Sequence, residues 1–151
     1  MKFKASFDFQ AYLTTGLSIV LSFAGLILLF IEKDALLLIF SFVGLVCFLY
    51  HPTAYTITDT QIIVHRPISN LNILRDELND VTQIRKGELF WKWRRLYSSG
   101  IWGYIGDCGT GKLGLMSWYA TQYDNFVLLT LNGKKIMLTP DEPEKFIAAL
   151  S

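Results

Sequence analysis

Two apolar runs lie near the start of the chain, and three charged residues, Glu32, Lys33 and Asp34, separate them. The first run, residues 11–31, is long enough to cross a membrane, because about 20 helical residues span the roughly 30 Å hydrocarbon core. The second run, residues 35–50, would form only about 24 Å of helix and needs an upright orientation or a thinner bilayer. Each charge near the bilayer centre costs about 2.5–3.5 kcal/mol even on the mildest scale, so these charges mark a turn. The pattern predicts a transmembrane helical hairpin.

Other interpretations of the apolar runs are less consistent with the sequence. A pair of buried helices in a soluble protein would need polar faces or enough chain to surround both, and neither is present. A cleaved signal peptide has an apolar region of about 7–15 residues that ends at a small-x-small site. The first run meets neither condition. A single crossing, with residues 35–50 lying in the membrane interface, is the main alternative to the hairpin.

Two crossings would place both ends of the chain on the same side of the membrane. Lys2 and Lys4 precede the first run, and Arg66 and Arg75 follow the second, whereas the turn contains one lysine and two acids. Because cytoplasmic segments carry an excess of Lys and Arg, we expect an integral protein of the inner (cytoplasmic) membrane. Both termini are predicted to be cytoplasmic.

The chain is expected to consist of an N-terminal segment (residues 1–10), the transmembrane hairpin (11–50) and one domain (51–151). About 100 residues are enough for a single small core. From His51 onward, eleven Lys and Arg stand against ten Asp and Glu, so the domain is nearly neutral. Its overall charge gives no reason to expect nucleic acid as a partner.

Alternating apolar and polar residues predict antiparallel strands in most of the domain. A polar turn at residues 58–61 joins the first two strands in a hairpin. Asn132-Gly133 predicts a second hairpin with a type I′ turn, which requires positive φ at both central residues. The predicted strands are residues 55–57, 62–64, 71–75, 81–85, 126–131 and 135–138.

The end of the chain is typical of a helix. Thr139 has the position of an N-cap, a proline follows it, and an acid lies three residues after the cap. A second proline allows an alternative start with Asp141 as the cap. We expect a helix at about residues 141–150, with its apolar face on the sheet. That face consists of Phe146, Ile147 and Leu150.

Residues 1–10 alternate between apolar and polar side chains, with Phe3, Ala5, Phe7 and Phe9 on one side. The hairpin topology places this segment beside the domain, so we expect it to add an edge strand. A disordered tail at the membrane interface is the alternative, because termini are often loose.

Five short motifs occur at residues 55–63, 100–106, 113–114, 119–121 and 139–146. They read YTITDTQII, GIWGYIG, LG, YAT and TPDEPEKF. With the strand pattern, they resemble the small bacterial PH-domain (pleckstrin-homology-like) membrane proteins that have an N-terminal two-helix transmembrane hairpin. The resemblance implies an α+β membrane protein in which a PH-like antiparallel β-barrel or sandwich is closed by a C-terminal α-helix. It transfers no catalytic residues.

A basic and aromatic segment, residues 85–97, is the main candidate for a binding site. Arg and Lys attract anionic lipids, and Trp and Tyr favour the headgroup region. One alternative is that the tryptophans cover the end of a barrel while the cations are solvated. Single-stranded nucleic acid also binds basic and aromatic residues, but a neutral domain and a membrane anchor argue against it. The proposed membrane-facing or lipid-facing residues are Lys86, Lys92, Arg94, Arg95, Trp91 and Trp93.

Residues 106–112 read GDCGTGK, the spacing of a phosphate-binding P-loop up to its lysine. Leu113 stands where a P-loop needs Ser or Thr, and a strand is predicted where a P-loop has a helix. We therefore expect glycine-rich turns and no bound nucleotide. His51, His65 and the two cysteines lack the spacing of a metal site. No catalytic group or cofactor is expected.

The leading hypothesis is a non-enzymatic interaction module at the cytoplasmic face of the membrane. It would dock an unknown protein partner through an open sheet edge, or self-assemble through small residues of the apolar runs such as Gly16, Gly25 and Gly44. The alternative is binding of membrane lipids through anionic headgroups at residues 85–97. Lipid recognition should weaken in salt, whereas strand docking should tolerate salt.

Overall fold

Two apolar helices separate the first strand from all later strands. The computed structural model describes residues 1–32, 38–84, 92–110 and 113–150. Helix α1 comprises Phe9–Glu32 and helix α2 comprises Leu38–Tyr50, and the two helices pack against each other.

Helix α1 is long and apolar enough to cross a membrane over Phe9–Leu28, which has 20 residues and a mean hydropathy of 1.9. The apolar part of α2, Ser41–Tyr50, is shorter than a membrane span. Among the described residues, only α1 therefore meets the requirements of a span, and the second span of the predicted hairpin does not. Lys33 and Asp34 of the predicted turn, and residues 35–37, lie outside the described residues.

The first sheet has four antiparallel strands in the order β1 (Lys2–Lys4), β2 (Ala54–Ile57), β3 (Gln61–His65) and β4 (Leu71–Leu74). The predicted first hairpin is confirmed, because β2 pairs with β3 and Thr58 N–H donates to the Gln61 carbonyl at 2.9 Å. The strand predicted at 71–75 ends earlier, since Arg75 begins a short 3-10 helix.

The second sheet has six strands: β5 (Leu78–Ile84), β6 (Lys92–Gly100), β7 (Gly103–Thr110), β8 (Gly114–Ala120), β9 (Phe126–Leu131) and β10 (Lys134–Leu138). Their order is β5-β9-β10-β8-β7-β6, and neighbouring strands are antiparallel except for β10 and β8. Asn132 and Gly133 join β9 to β10 as predicted. The predicted type I′ turn is wrong, because Gly133 has a φ of 85° but Asn132 does not adopt a positive φ.

The C-terminal helix, α3, comprises Pro143–Ala148 and is shorter than the predicted helix at 141–150. Its N-cap is Glu142, so neither Thr139 nor Asp141 has the predicted capping role. Both side chains have other partners. The Thr139 hydroxyl accepts from the N–H of Thr121 at 3.0 Å, and the Asp141 carboxylate accepts from the N-terminal segment.

Strand β9 of the six-stranded sheet is buried on both faces. Along β9, Val127 and Leu129 belong to a core shared by both sheets and α3. Phe126 and Leu128 point the other way, into a second core that includes Ala11 of α1. The described strands form two sheets and no closed barrel, so the barrel form of the prediction is wrong. The chain forms an α+β structure with two sheets.

Candidate functional site

Asp8 connects the start of α1 to the six-stranded sheet. Its carboxylate accepts from the N–H of Ala11 at 2.7 Å, which caps the helix at its positive end. It also accepts from the N–H of Tyr123 at 2.7 Å and from the hydroxyl of Tyr104 at 3.0 Å. Burial and the adjacent Asp8 carboxylate raise the pKa of Tyr104, so its hydroxyl remains a donor. The Asp8 side chain thus caps α1 and also holds the start of this helix against the domain.

A second contact joins α1 to the tip of the β6–β7 hairpin. The hydroxyl of Thr15 accepts from the N–H of Trp102 at 2.8 Å and lies 3.4 Å from the carbonyl of Gly100, to which it donates. Gly100 has a φ of 99°, and a Cβ at this residue would lie 2.7 Å from Oγ1 of Thr14. Glycine is therefore needed for both the backbone conformation and the close approach of α1.

Aromatic side chains surround the hairpin tip where it meets both helices. The ring centroid of Trp102 lies 4.7 Å from Phe48, 5.4 Å from His51 and 6.4 Å from Phe7. Trp102 has a φ of 55°, an unfavourable conformation for a bulky residue that these contacts stabilise. His51 is buried, which lowers its pKa, although a contact of 2.5 Å between its Nδ1 and the Phe48 carbonyl acts in the opposite direction.

The end of α2 also contacts the domain. The N–H of Ile68, in the loop between β3 and β4, donates to the Leu49 carbonyl at 3.1 Å. The guanidinium of Arg66 lies 5.5 Å from the ring centroids of both Tyr50 and Tyr119. With the contacts of α1, these interactions hold the domain against the base of the helical pair. We call this region the helix junction.

The N-terminal segment makes a separate contact with the four-stranded sheet. β1 pairs with β2, placing Phe3 opposite Tyr55. The ring centroid of Phe3 lies 5.1 Å from that of Phe146 in α3, in an edge-to-face arrangement. The carboxylate of Asp141 accepts from the N–H of Ser6 at 3.0 Å and from its hydroxyl at 2.6 Å. The segment therefore fills a groove between β2 and α3.

A family model described as bacterial PH domain matches residues 53–151. The chain belongs to the bacterial PH domain family. The matched region of this PH domain begins just before β2 and includes α3, whereas β1, α1 and α2 precede it. No curated protein and no solved structure matches the chain significantly.

The predicted lipid-facing cluster of the PH domain is only partly within the described residues. Lys86 and Trp91 lie outside them. Lys92, Arg94 and Arg95 belong to β6, together with Trp93. The backbone register pairs the start of β6 with the end of β7, so these four residues lie at the opposite end of the β6–β7 hairpin from its tip.

This position separates the cluster from the helix junction. Five to eight strand residues separate this cluster from Gly100 at the hairpin tip, which corresponds to roughly 16–26 Å. The tip is the part of the hairpin that contacts α1. β6 is also an edge strand among the described residues, and its pairing with β7 is irregular between Arg94 and Leu96. Basic residues and bulges are features that prevent edge strands from pairing indiscriminately. Such a protective role is an alternative to lipid binding for these cations.

The described part of the glycine-rich motif belongs to β7. Residues 106–110 lie in β7, and Gly111 and Lys112 lie outside the described residues. Strand β8 follows at Gly114, where a P-loop would have a helix. Within the described parts of the chain, no three His, Cys, Asp or Glu side chains are grouped as metal ligands.

Small residues contribute to packing between the two helices. Gly44 faces Ser22, whose Oγ would lie 4.0 Å from an added Cβ. A groove of about 270 Å³ lies between the helices, and Trp102 is one of the residues that line it. The hydroxyl of Ser22 donates to the Ser18 carbonyl at 2.8 Å, whereas the buried Oγ of Ser41 has no hydrogen-bond partner. Gly44, one of the small residues predicted to support self-assembly, thus lies within the pair of helices.

The connecting roles of four residues were not predicted from the sequence: Asp8, Thr15, Trp102 and Asp141. Asp8 had a recognisable signal, because an acid directly before an apolar helix is a common N-cap. The other three had none, since their partners are distant in the chain.

Proposed function

We propose that this protein is a non-enzymatic, membrane-anchored interaction module whose PH domain docks a protein partner at the cytoplasmic face of the membrane. Membership of the bacterial PH domain family supports an interaction role with protein or lipid. Residues 53–151 would act as the docking domain, and α1 would act as its anchor. Self-assembly through small residues of the apolar helices is an alternative to docking of a different protein.

The helix junction is the observation that carries this proposal. Asp8 and Thr15 connect α1 to two different parts of the six-stranded sheet. A domain fixed in this way keeps one orientation to the bilayer and a high effective concentration for partners in the same membrane. Weak main-chain contacts at a sheet edge then suffice for docking.

The pairing of β1 with β2 supports a topology with two crossings. β1 precedes α1 and β2 follows α2, and the paired strands must lie on one side of the membrane. If α1 crosses the bilayer, the chain has to cross back before β2. The lysines of β1 are consistent with a cytoplasmic location of both termini.

The test is purification of the intact protein in mild detergent with native lipids, followed by mass spectrometry of retained proteins and lipids. We expect a protein partner that remains bound when the salt concentration is raised about tenfold, because strand pairing is little affected by ionic screening. Recovery of no protein partner and no second copy would contradict docking.

Binding of anionic lipid headgroups through residues 85–97 is the second candidate function. The basic residues at the start of β6 favour it, although they lie far from the hairpin tip. Replacement of Lys92, Arg94 and Arg95 with Ala should reduce retained anionic lipid in the same experiment. The matched control replaces three other cations, Lys134, Lys135 and Lys145. Equal lipid retention by both variants would exclude this candidate.

A further inference from the structure

One edge of the PH domain is completed by a strand from outside the domain. The family match begins at residue 53, and β2 is the first strand within it. Its outer neighbour is β1, which belongs to the segment before the helices. The N–H of Ile57 donates to the Met1 carbonyl at 2.8 Å, and the amino group of Met1 donates to the Ile57 carbonyl at 2.6 Å. The edge of β2 thus accepts an extended segment through main-chain bonds.

The same edge provides a pocket for an aromatic side chain. Tyr55 of β2 and Phe146 of α3 are both fully buried, and their ring centroids lie 6.1 Å apart. Phe3 packs against Phe146 from the outer side at 5.1 Å. Edge-to-face geometry of this kind contributes about 0.5–1.5 kcal/mol beyond burial of area. The pocket therefore selects an aromatic residue at one position of the extended segment.

A polar clamp lies beside this pocket. The Asp141 carboxylate accepts from both the N–H and the hydroxyl of Ser6, and the N–H of Asp141 donates to the Lys4 carbonyl at 3.2 Å. These bonds recognise the direction of the segment and a hydroxyl three residues after the aromatic side chain. We call the edge of β2, the aromatic pocket and Asp141 the β2 groove.

The segment in the β2 groove can leave without breaking the helix junction. β1 has only three residues, Met1 is 80% exposed, and the bonds of Ser6 to Asp141 are exposed to solvent. The junction depends instead on Asp8 and on residues of α1. Short strands with few buried contacts and solvent-exposed hydrogen bonds open at a low free energy. Opening of β1 would expose the groove while the domain stays in place.

We propose that the β2 groove is the docking site for an extended segment of a protein partner, and that the chain's own N-terminal segment occupies it until the partner displaces it. The partner segment carries an aromatic residue at the position of Phe3 and Ser or Thr at that of Ser6. A second copy's segment fits less well, because Asp8 holds each segment close to its own domain. The inference rests on the proposed docking function and assigns it a location.

The first experiment uses a fluorescent peptide that copies residues 1–8, added to the intact protein in detergent. The Phe3→Ala protein should bind the peptide about tenfold more tightly than the original protein, because its own segment competes less well for the groove. Lys4→Ala, a change in the same strand at an exposed side chain, should bind like the original. A peptide with alanine in place of its phenylalanine should bind at least about tenfold more weakly. Equal affinity of the two peptides would overturn the proposal.

A disulfide lock provides a second test that does not depend on the peptide. Lys2 lies opposite Thr56, so Lys2→Cys with Thr56→Cys should join the strands on oxidation, since cross-strand Cα distances suit a disulfide. Oxidation should abolish peptide binding and release the partner found in the detergent purification, and reduction should restore both. A partner that stays bound to the oxidised protein would exclude the β2 groove while leaving the docking function intact. Absence of any partner would instead count against the docking function itself.

Discussion

The N-terminal segment contacts the domain twice, and the two contacts differ in kind. Residues 1–6 lie on the four-stranded sheet as a short, exposed strand with one aromatic anchor. Asp8 and Thr15 contact the six-stranded sheet through several hydrogen bonds at the helix junction. The first contact can be exchanged for a similar segment, whereas the second is specific to these side chains. A fixed anchor beside an exchangeable strand is the arrangement that a docking module needs.

Asp8→Ala should have the largest effect on this comparison. It removes the N-cap of α1 and the acceptor of the Tyr104 hydroxyl and the Tyr123 N–H. The expected loss is about 3–4 kcal/mol of unfolding free energy, measured by denaturant unfolding in detergent. Asp59→Ala, at an exposed turn, is the control. Equal stability of the two variants would show that the junction is not a strong anchor.

Gly100→Ala should have the next largest effect, a loss of about 2–3 kcal/mol of unfolding free energy. The added Cβ meets Oγ1 of Thr14 and the backbone has a positive φ. Gly133→Ala is a matched control, because Gly133 also has a positive φ but has open space around its Cβ. The difference between the two losses, measured by thermal unfolding, reports the contact with α1. Thr14→Ala should recover part of that difference, and no recovery would contradict the steric explanation.

Phe3→Ala should lower the unfolding free energy by less, about 1–2 kcal/mol, because Phe3 is only partly buried. Its effect should also be local. Hydrogen exchange is expected to accelerate in β2 but to remain unchanged at Tyr123, whose N–H is bonded to Asp8. Lys4→Ala should leave the hydrogen-exchange rates in β2 and at Tyr123 unchanged. Faster exchange at Tyr123 in the Phe3→Ala protein would show that the two contacts are coupled.

The smallest expected effect concerns His51. Burial lowers its pKa from the ordinary value of 6.5, so in the pH range between the lowered pKa and 6.5 the unfolded chain binds more protons than the folded chain. Stability should therefore fall as the pH falls through this range. His51→Phe should reduce the decrease in melting temperature between about pH 7 and pH 5. An unchanged decrease would show that His51 does not titrate in this way.

Local features of the fold were predictable from the sequence. The polar turn at residues 58–61 and the Asn132-Gly133 turn join the predicted strands, because short turns depend on the residues within them. The cap of α3 was not predictable, since Thr139 and Asp141 bond to Thr121 and Ser6 instead. Propensity indicates which residues can cap a helix, and tertiary contacts select among them.

In the candidate sites too, the composition of a segment was predictable from the sequence, whereas its position in the structure was not. The basic cluster was visible as a composition, but the position of Lys92 at the far end of the β6–β7 hairpin depends on strand register. The β2 groove combines Tyr55 with Asp141 and Phe146 from two distant parts of the chain, and Phe3, which occupies it, comes from a third. No local pattern could have indicated that these residues meet.

The sequence by itself determined the apolar helix, the separation of the two apolar runs by charges and the short turns. Each depends on near neighbours or on the cost of placing a charge in hydrocarbon. Only the tertiary structure decided that β2 is the partner of β1, that Asp8 caps α1 while binding Tyr104 and Tyr123, and that β9 is buried on both faces. Those features arise from contacts between residues far apart in the chain, whose cooperation local propensity does not encode.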